Sequence, residues 1–108
     1  MPEVLAVFTN APDETVAGTI AATLVESGLA ACVNVLAPCR SVYRWEGAVE
    51  QAREVPLLIK TTRARYPEVQ AAILAAHPFA VPEIIALPVE FGLPAYLAWV
   101  EAETSRPC

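Results

Sequence analysis

Apolar residues recur along this chain in two rhythms, and the change between them predicts the elements. Val4 to Phe8 is an unbroken apolar run, long enough for a buried strand and too short for a helix. Thr9-Asn10-Ala11-Pro12-Asp13 then reads as a helix start, with small polar residues, a proline and acids in the first turn. Val16, Ile20 and Leu24 repeat at four-residue spacing with Ala17 and Ala21 beside them, and Gly28 closes that stripe. Ala31 to Ala37 predicts a second strand, with a bend or bulge at Pro38-Cys39. From Ser41 to Thr62 the pattern predicts two long arms folded back at Glu46-Gly47. Tyr43 and Trp45 fall on one face of the first arm, Arg44 and Glu46 on the other. Pro56 cannot donate a ladder hydrogen bond, so the second arm is expected to bulge or face outward there. Arg63 to Ala76 predicts a helix whose stripe is Tyr66, Val69, Ile73 and His77, stopped by Pro78. Glu83 to Val89 predicts a last strand, and Leu93, Leu97 and Val100 line a short terminal helix behind Pro94.

The first six elements follow the βαββαβ order of a ferredoxin-like α+β sandwich, here with an extended hairpin and a C-terminal helix added. Two helices cover one face of such a sheet, so its strands should alternate apolar with polar. Val4-Leu5-Ala6-Val7-Phe8 and Ile84-Ile85-Ala86-Leu87 do not alternate. Each Val, Leu or Ile left in water forgoes about 1.5–3 kcal/mol relative to burial. An obligate oligomer with its sheets turned inward resolves this. The long hairpin suits it, because its tip can add to a neighbour's sheet edge.

Composition narrows the class. A length of 108 residues predicts a single domain over 1–108, and 56% hydrophobic against 18% charged residues excludes disorder. Prolines and Gly47 break every apolar segment before it reaches membrane-spanning length, and the start lacks a signal peptide's basic head, so a cytoplasmic protein is expected. A net charge of −5 argues against nucleic acid and anionic lipid as partners and mildly favours cations. Three cysteines without a secretory signal predict free thiols; Cys108, the last residue, is expected to be mobile.

Five strings, LAACVN (Leu29 to Asn34), SVYRWEG (Ser41 to Gly47), Glu54 with LLIKTT (Leu57 to Thr62), HPFAVPEI (His77 to Ile84) and YLAWV (Tyr96 to Val100), resemble the CutA divalent-cation-tolerance family in order and spacing. The resemblance implies a stable cytosolic homotrimer, similar in architecture to PII-type signalling trimers, with a link to tolerance of copper and other divalent cations. Phe79 stands where the family commonly has tyrosine, Pro56 where it has an aliphatic residue, and Cys39 and Cys108 match no family motif.

Within these motifs Cys32 and His77 are the soft and borderline ligands, and Glu83 is the nearest motif carboxylate to His77. Thiolate, imidazole and carboxylate together suit copper or another divalent cation. The same residues also read structurally, Cys32 as a small core residue and His77 as a helix-terminal cation favoured by the dipole. Tyr43 and Trp45 could stack on a small ligand in an inter-subunit cleft, with Glu54, Lys60 and Thr61 nearby, or simply anchor an interface. Lys60 would then meet an anionic ligand or a carboxylate such as Glu54 or Glu83. No phosphate-binding glycine loop, nucleophile elbow or second histidine is present, so neither enzymatic activity nor an organic cofactor is expected. The leading expectation is a trimeric metal-response protein; the other is a PII-like trimeric small-molecule sensor or scaffold.

Overall fold

The computed structural model describes residues 3–105, so Cys108 lies outside the described residues. The elements run β1 (Val4–Ala11), α1 (Glu14–Glu26), β2 (Cys32–Val35), β3 (Cys39–Trp45), β4 (Ala48–Thr62), α2 (Tyr66–Ala76), β5 (Ile84–Pro88) and α3 (Pro94–Thr104). The sheet is antiparallel in the order β2-β4-β1-β5, with β3 paired to the distal half of β4. This is the alternation expected from the pattern, its second strand divided where Pro38 was read as a break.

The helix starts and stops have local causes. The Asp13 carboxylate accepts the Val16 N–H at 2.9 Å and caps α1. Gly28 follows the helix at φ 76, and the N–H groups of Leu29 and Ala30 both return to the Leu24 carbonyl. α2 begins at Tyr66 rather than Arg63, because residues 63–65 form a turn and Pro67 needs no donor in the first helical turn.

β1 is longer than the apolar run predicts. Thr9, Asn10 and Ala11 extend the strand instead of opening the helix, since β4 pairs with all three and β5 pairs with Thr9. Pro56 is not bulged; it sits in register opposite Asn10 in a central strand and its nitrogen faces away from that partner, the outward-facing alternative. Its carbonyl accepts the Leu36 N–H, so its hydrogen-less nitrogen faces the same side, where β2 has ended and β3 has not begun. No ladder bond is lost there.

The core lies between one sheet face and the helices α1 and α2. Leu5, Val7 and Ala11 from β1 and Val55, Leu57 and Ile59 from β4 meet Ala17, Ile20 and Leu24 and Val69 and Ile73. The opposite face carries Ala6, Phe8, Leu58, Lys60, Cys32, Ile85 and Leu87, as the cross-strand registers require. The sequence reading left this face uncovered. In the structure α3 covers one end of it, where Val4, Thr62, Val100 and Thr104 are buried, and Arg65 Nε donates to the Thr104 carbonyl at 2.7 Å. The other end remains open, with Ile85 52% and Leu87 54% exposed.

Candidate functional site

Where β1 ends, the hairpin begins and the 77–83 segment returns to β5, a cleft of about 770 Å³ opens. Its walls are Tyr43, Trp45 and Glu54 from the hairpin, Asn10 from β1, and the run from His77 to Glu83. Two prolines in that run, Pro78 and Pro82, stiffen the connection that frames the cleft.

Asn10 joins its parts. The Asn10 carbonyl accepts from His77 Nε2 at 2.7 Å, and the Asn10 side-chain amide donates to Glu83 Oε1 at 3.1 Å. Thr9 Oγ1 adds a 2.7 Å bond to the Glu83 carbonyl. The Phe79 N–H donates to His77 Nδ1 at 3.2 Å, and the two rings lie 4.8 Å apart. A carbonyl can only accept and an N–H only donate, so His77 carries its proton on Nε2 and uses its Nδ1 lone pair internally. The residue is 7% exposed and brackets β1 to the segment after α2. Asn10 itself was not singled out from sequence, because Thr9-Asn10-Ala11-Pro12 reads as a helix opening. Only the continued strand pairing turns it toward His77 and Glu83.

His77, Glu83, Glu54, Tyr43 and Trp45 are thus brought to one cleft, and Cys32, Lys60 and Thr61 are not. Cys32 pairs with Lys60 and Asn10 with Pro56, four residues further along β4, which is roughly 13 Å at strand rise. Cys32 is half-buried near Tyr96. Burial first, then the charge of Cys32 and hydrogen bonding with it, raise the Tyr96 pKa above its ordinary value. Lys60 Nζ donates to Asn34 Oδ1, and the described ion pairs are Arg63 with Glu3 and Arg65 with Glu68, so Lys60 meets neither Glu54 nor Glu83 within a protomer. Thr61 is buried and donates to the Leu29 carbonyl at 2.6 Å, a structural bond. Among the described residues no group of three or more His, Cys, Asp or Glu side chains is placed to hold a metal ion. Within one protomer the Cys32, His77 and Glu83 set does not converge.

Comparison with known proteins agrees with this architecture. Residues 5–103 match the family model described as CutA1 divalent ion tolerance protein. The chain belongs to that family. It is 46% identical to the divalent-cation tolerance protein CutA of Thermus thermophilus, across 91% of this chain and 95% of that one. It is 45% identical to mouse protein CutA across 94% of this chain but only 57% of the mouse protein. Among solved structures, CutA1 of the psychrotrophic Shewanella sp. SIB1 superposes with a TM-score of 0.93 at 39% identity, covering 97% of this chain and 98% of that one. Archaeoglobus fulgidus CutA, described as a periplasmic divalent cation tolerance protein, has a TM-score of 0.90 at 36% identity, covering 94% and 98% of the two chains. The Thermus thermophilus and Archaeoglobus fulgidus proteins are named for tolerance of divalent cations rather than for a reaction.

Proposed function

We infer that this CutA-family chain works as a homotrimer in divalent-cation tolerance, with copper or a similar ion met at a site shared between subunits and no enzymatic role. The open end of the sheet carries this reading. Ile85 and Leu87 stand beside Phe8 and Leu58 on a face that a lone protomer leaves in water. A shared site also accommodates the separation of its candidate ligands. Cys32 offers a half-buried thiol on that same face, and Glu83 keeps one carboxylate oxygen beyond its bond to Asn10. His77 could join only by releasing the Asn10 carbonyl or the Phe79 N–H. Free Cys32 and Cys39 fit a reducing, cytoplasmic setting.

Native mass spectrometry should find three times the 11.6 kDa chain mass, and a monomer at all concentrations would end the reading. In copper titrations by calorimetry, Cys32→Ala should weaken binding by at least about tenfold, because thiolate is the soft ligand. His77→Ala should leave it within about twofold of wild type. Unchanged binding in Cys32→Ala removes the proposed site.

The cleft favours a second reading, a PII-like trimeric sensor that binds a small molecule. Two exposed aromatic rings and two carboxylates converge on a concavity of ligand size. With Trp99 replaced by Phe, Trp45 fluorescence reports on that cleft. Saturable quenching by a metabolite extract fraction, lost in Tyr43→Ala, is the expected result; a cleft filled by neighbouring side chains in the trimer would exclude it.

A further inference from the structure

The cleft framed by the 77–83 segment is acidic. Glu54 and Glu83 stand in its walls, and neither lysine nor arginine lines it. Strand register explains the sorting. Glu50 and Glu54 share a hairpin face with Ser41, Tyr43 and Trp45, whereas Arg40, Arg44 and Arg53 lie on the opposite face. Glu54 is half-buried and has no ion-pair partner among the described residues. Glu83 is fixed at its carbonyl by Thr9 and at Oε1 by Asn10, and keeps its second carboxylate oxygen for another donor.

Aromatic rings form the remainder of the wall. Tyr43, Trp45 and Phe79 all line the cleft and all are exposed. Phe79 is positioned by its N–H bond and ring contact to His77, while Tyr43 and Trp45 stand two apart on one strand. The face of such a ring attracts a cation through its quadrupole, tryptophan most strongly. A bare divalent ion is the poorer occupant, since it needs several oxygen, nitrogen or sulfur ligands at once. Among the described residues no group of three or more His, Cys, Asp or Glu side chains is placed to supply them. A protonated amine on an apolar body suits both parts of the wall. Its N–H groups donate to carboxylates in charge-assisted bonds, and its body packs against rings.

We propose that the cleft binds a small protonated amine with an apolar body, its ammonium held by the carboxylates of Glu54 and Glu83 and its body by Tyr43, Trp45 and Phe79. A volume of about 770 Å³ suits a ligand of that size. This inference rests on the small-molecule reading of the cleft above and names its ligand class.

Three probes of similar shape and different charge test it: 2-phenylethylammonium, 2-phenylethanol and phenylacetate, each titrated by calorimetry into the full chain in its native assembly at low salt. The ammonium should bind saturably and at least about tenfold more tightly than the alcohol, and phenylacetate should not bind. Glu54→Gln and Glu83→Gln should each weaken the ammonium by at least about threefold and leave the alcohol within about twofold of wild type. Glutamine at position 83 retains an oxygen for Asn10, so the frame of the cleft stands. An alcohol or a carboxylate bound as tightly as the ammonium overturns the amine class and leaves the cleft a small-molecule site. Glutamine variants that hold the ammonium like wild type overturn the proposed contacts. No binding by any probe, with Trp45 still quenched by a metabolite fraction, overturns the amine class alone; no quenching either overturns the small-molecule reading with it.

Discussion

A histidine whose two ring nitrogens both serve the backbone has no lone pair left for a metal, and this decides how His77 is to be understood. Its bonds to Asn10 and Phe79 fix the segment that frames the cleft, and losing them would leave a part-buried carbonyl without that partner, at a cost of about 1 kcal/mol. The identity and helical phase of His77 were legible in the sequence, but its role was not, because hydrogen-bond partners 67 residues apart leave no local signal. Tyr96 makes the same point with a measurable consequence. Its phenol holds its proton more tightly in the folded chain than at the ordinary value of 10.0, through burial and then Cys32. The raised value means that its contribution to stability is intact below about pH 10 and is lost as pH rises through the folded-state value. Absorbance titration of tyrosinate should show a component above the ordinary range that moves down in Cys32→Ala. A titration identical in the two proteins would rule out the Cys32 contribution.

Among the elements, the hairpin was the most legible and β1 the least. Gly47 was read as the turn, and both turn residues have left-handed backbones, Glu46 at φ 49 and Gly47 at φ 84. That pair of conformations is what a two-residue hairpin turn demands, and glutamate suits it poorly. Glu46→Asn should therefore raise stability by about 1 kcal/mol, and Gly47→Ala should lower it by a similar amount. Urea unfolding at one fixed protein concentration measures both, and a destabilised Glu46→Asn would contradict the turn geometry. In β1 the local pattern was misleading. Thr9 and Asn10 look like a helix opening, yet strand pairing on β4 takes both residues and buries Thr9. Long-range pairing outweighs local preference when both flanking strands continue past the apolar run.

For the molecule as a whole, the issue is the partly covered sheet face. Non-alternating strands predicted a second apolar face, and the registers place Phe8, Leu58, Ile85 and Leu87 on it. The helix α3 shields only the end near Val4 and Thr62. Ile85→Lys with Leu87→Lys should convert the proposed trimer into a folded monomer, because each lysine would have to leave water on assembly. Light scattering measures this, and a trimer that persists would mean that the face is not where subunits meet. The 44 Å long axis, against 27 and 23 Å in the other directions, reflects a chain extended by a hairpin that its own core cannot cover.

What the sequence alone determined is what periodicity and steric punctuation control: the order of strands and helices, the turn at Gly47, the stripes that became the core, and the family motifs. The structure alone decided which distant residues meet. It separated Cys32 from His77, set Asn10 between His77 and Glu83, laid α3 over one end of the spare face, and sorted the hairpin's arginines from its glutamates. The reason is physical. Local pattern governs which way a side chain points from its own element, whereas strand register and helix docking depend on pairings summed over the whole sheet.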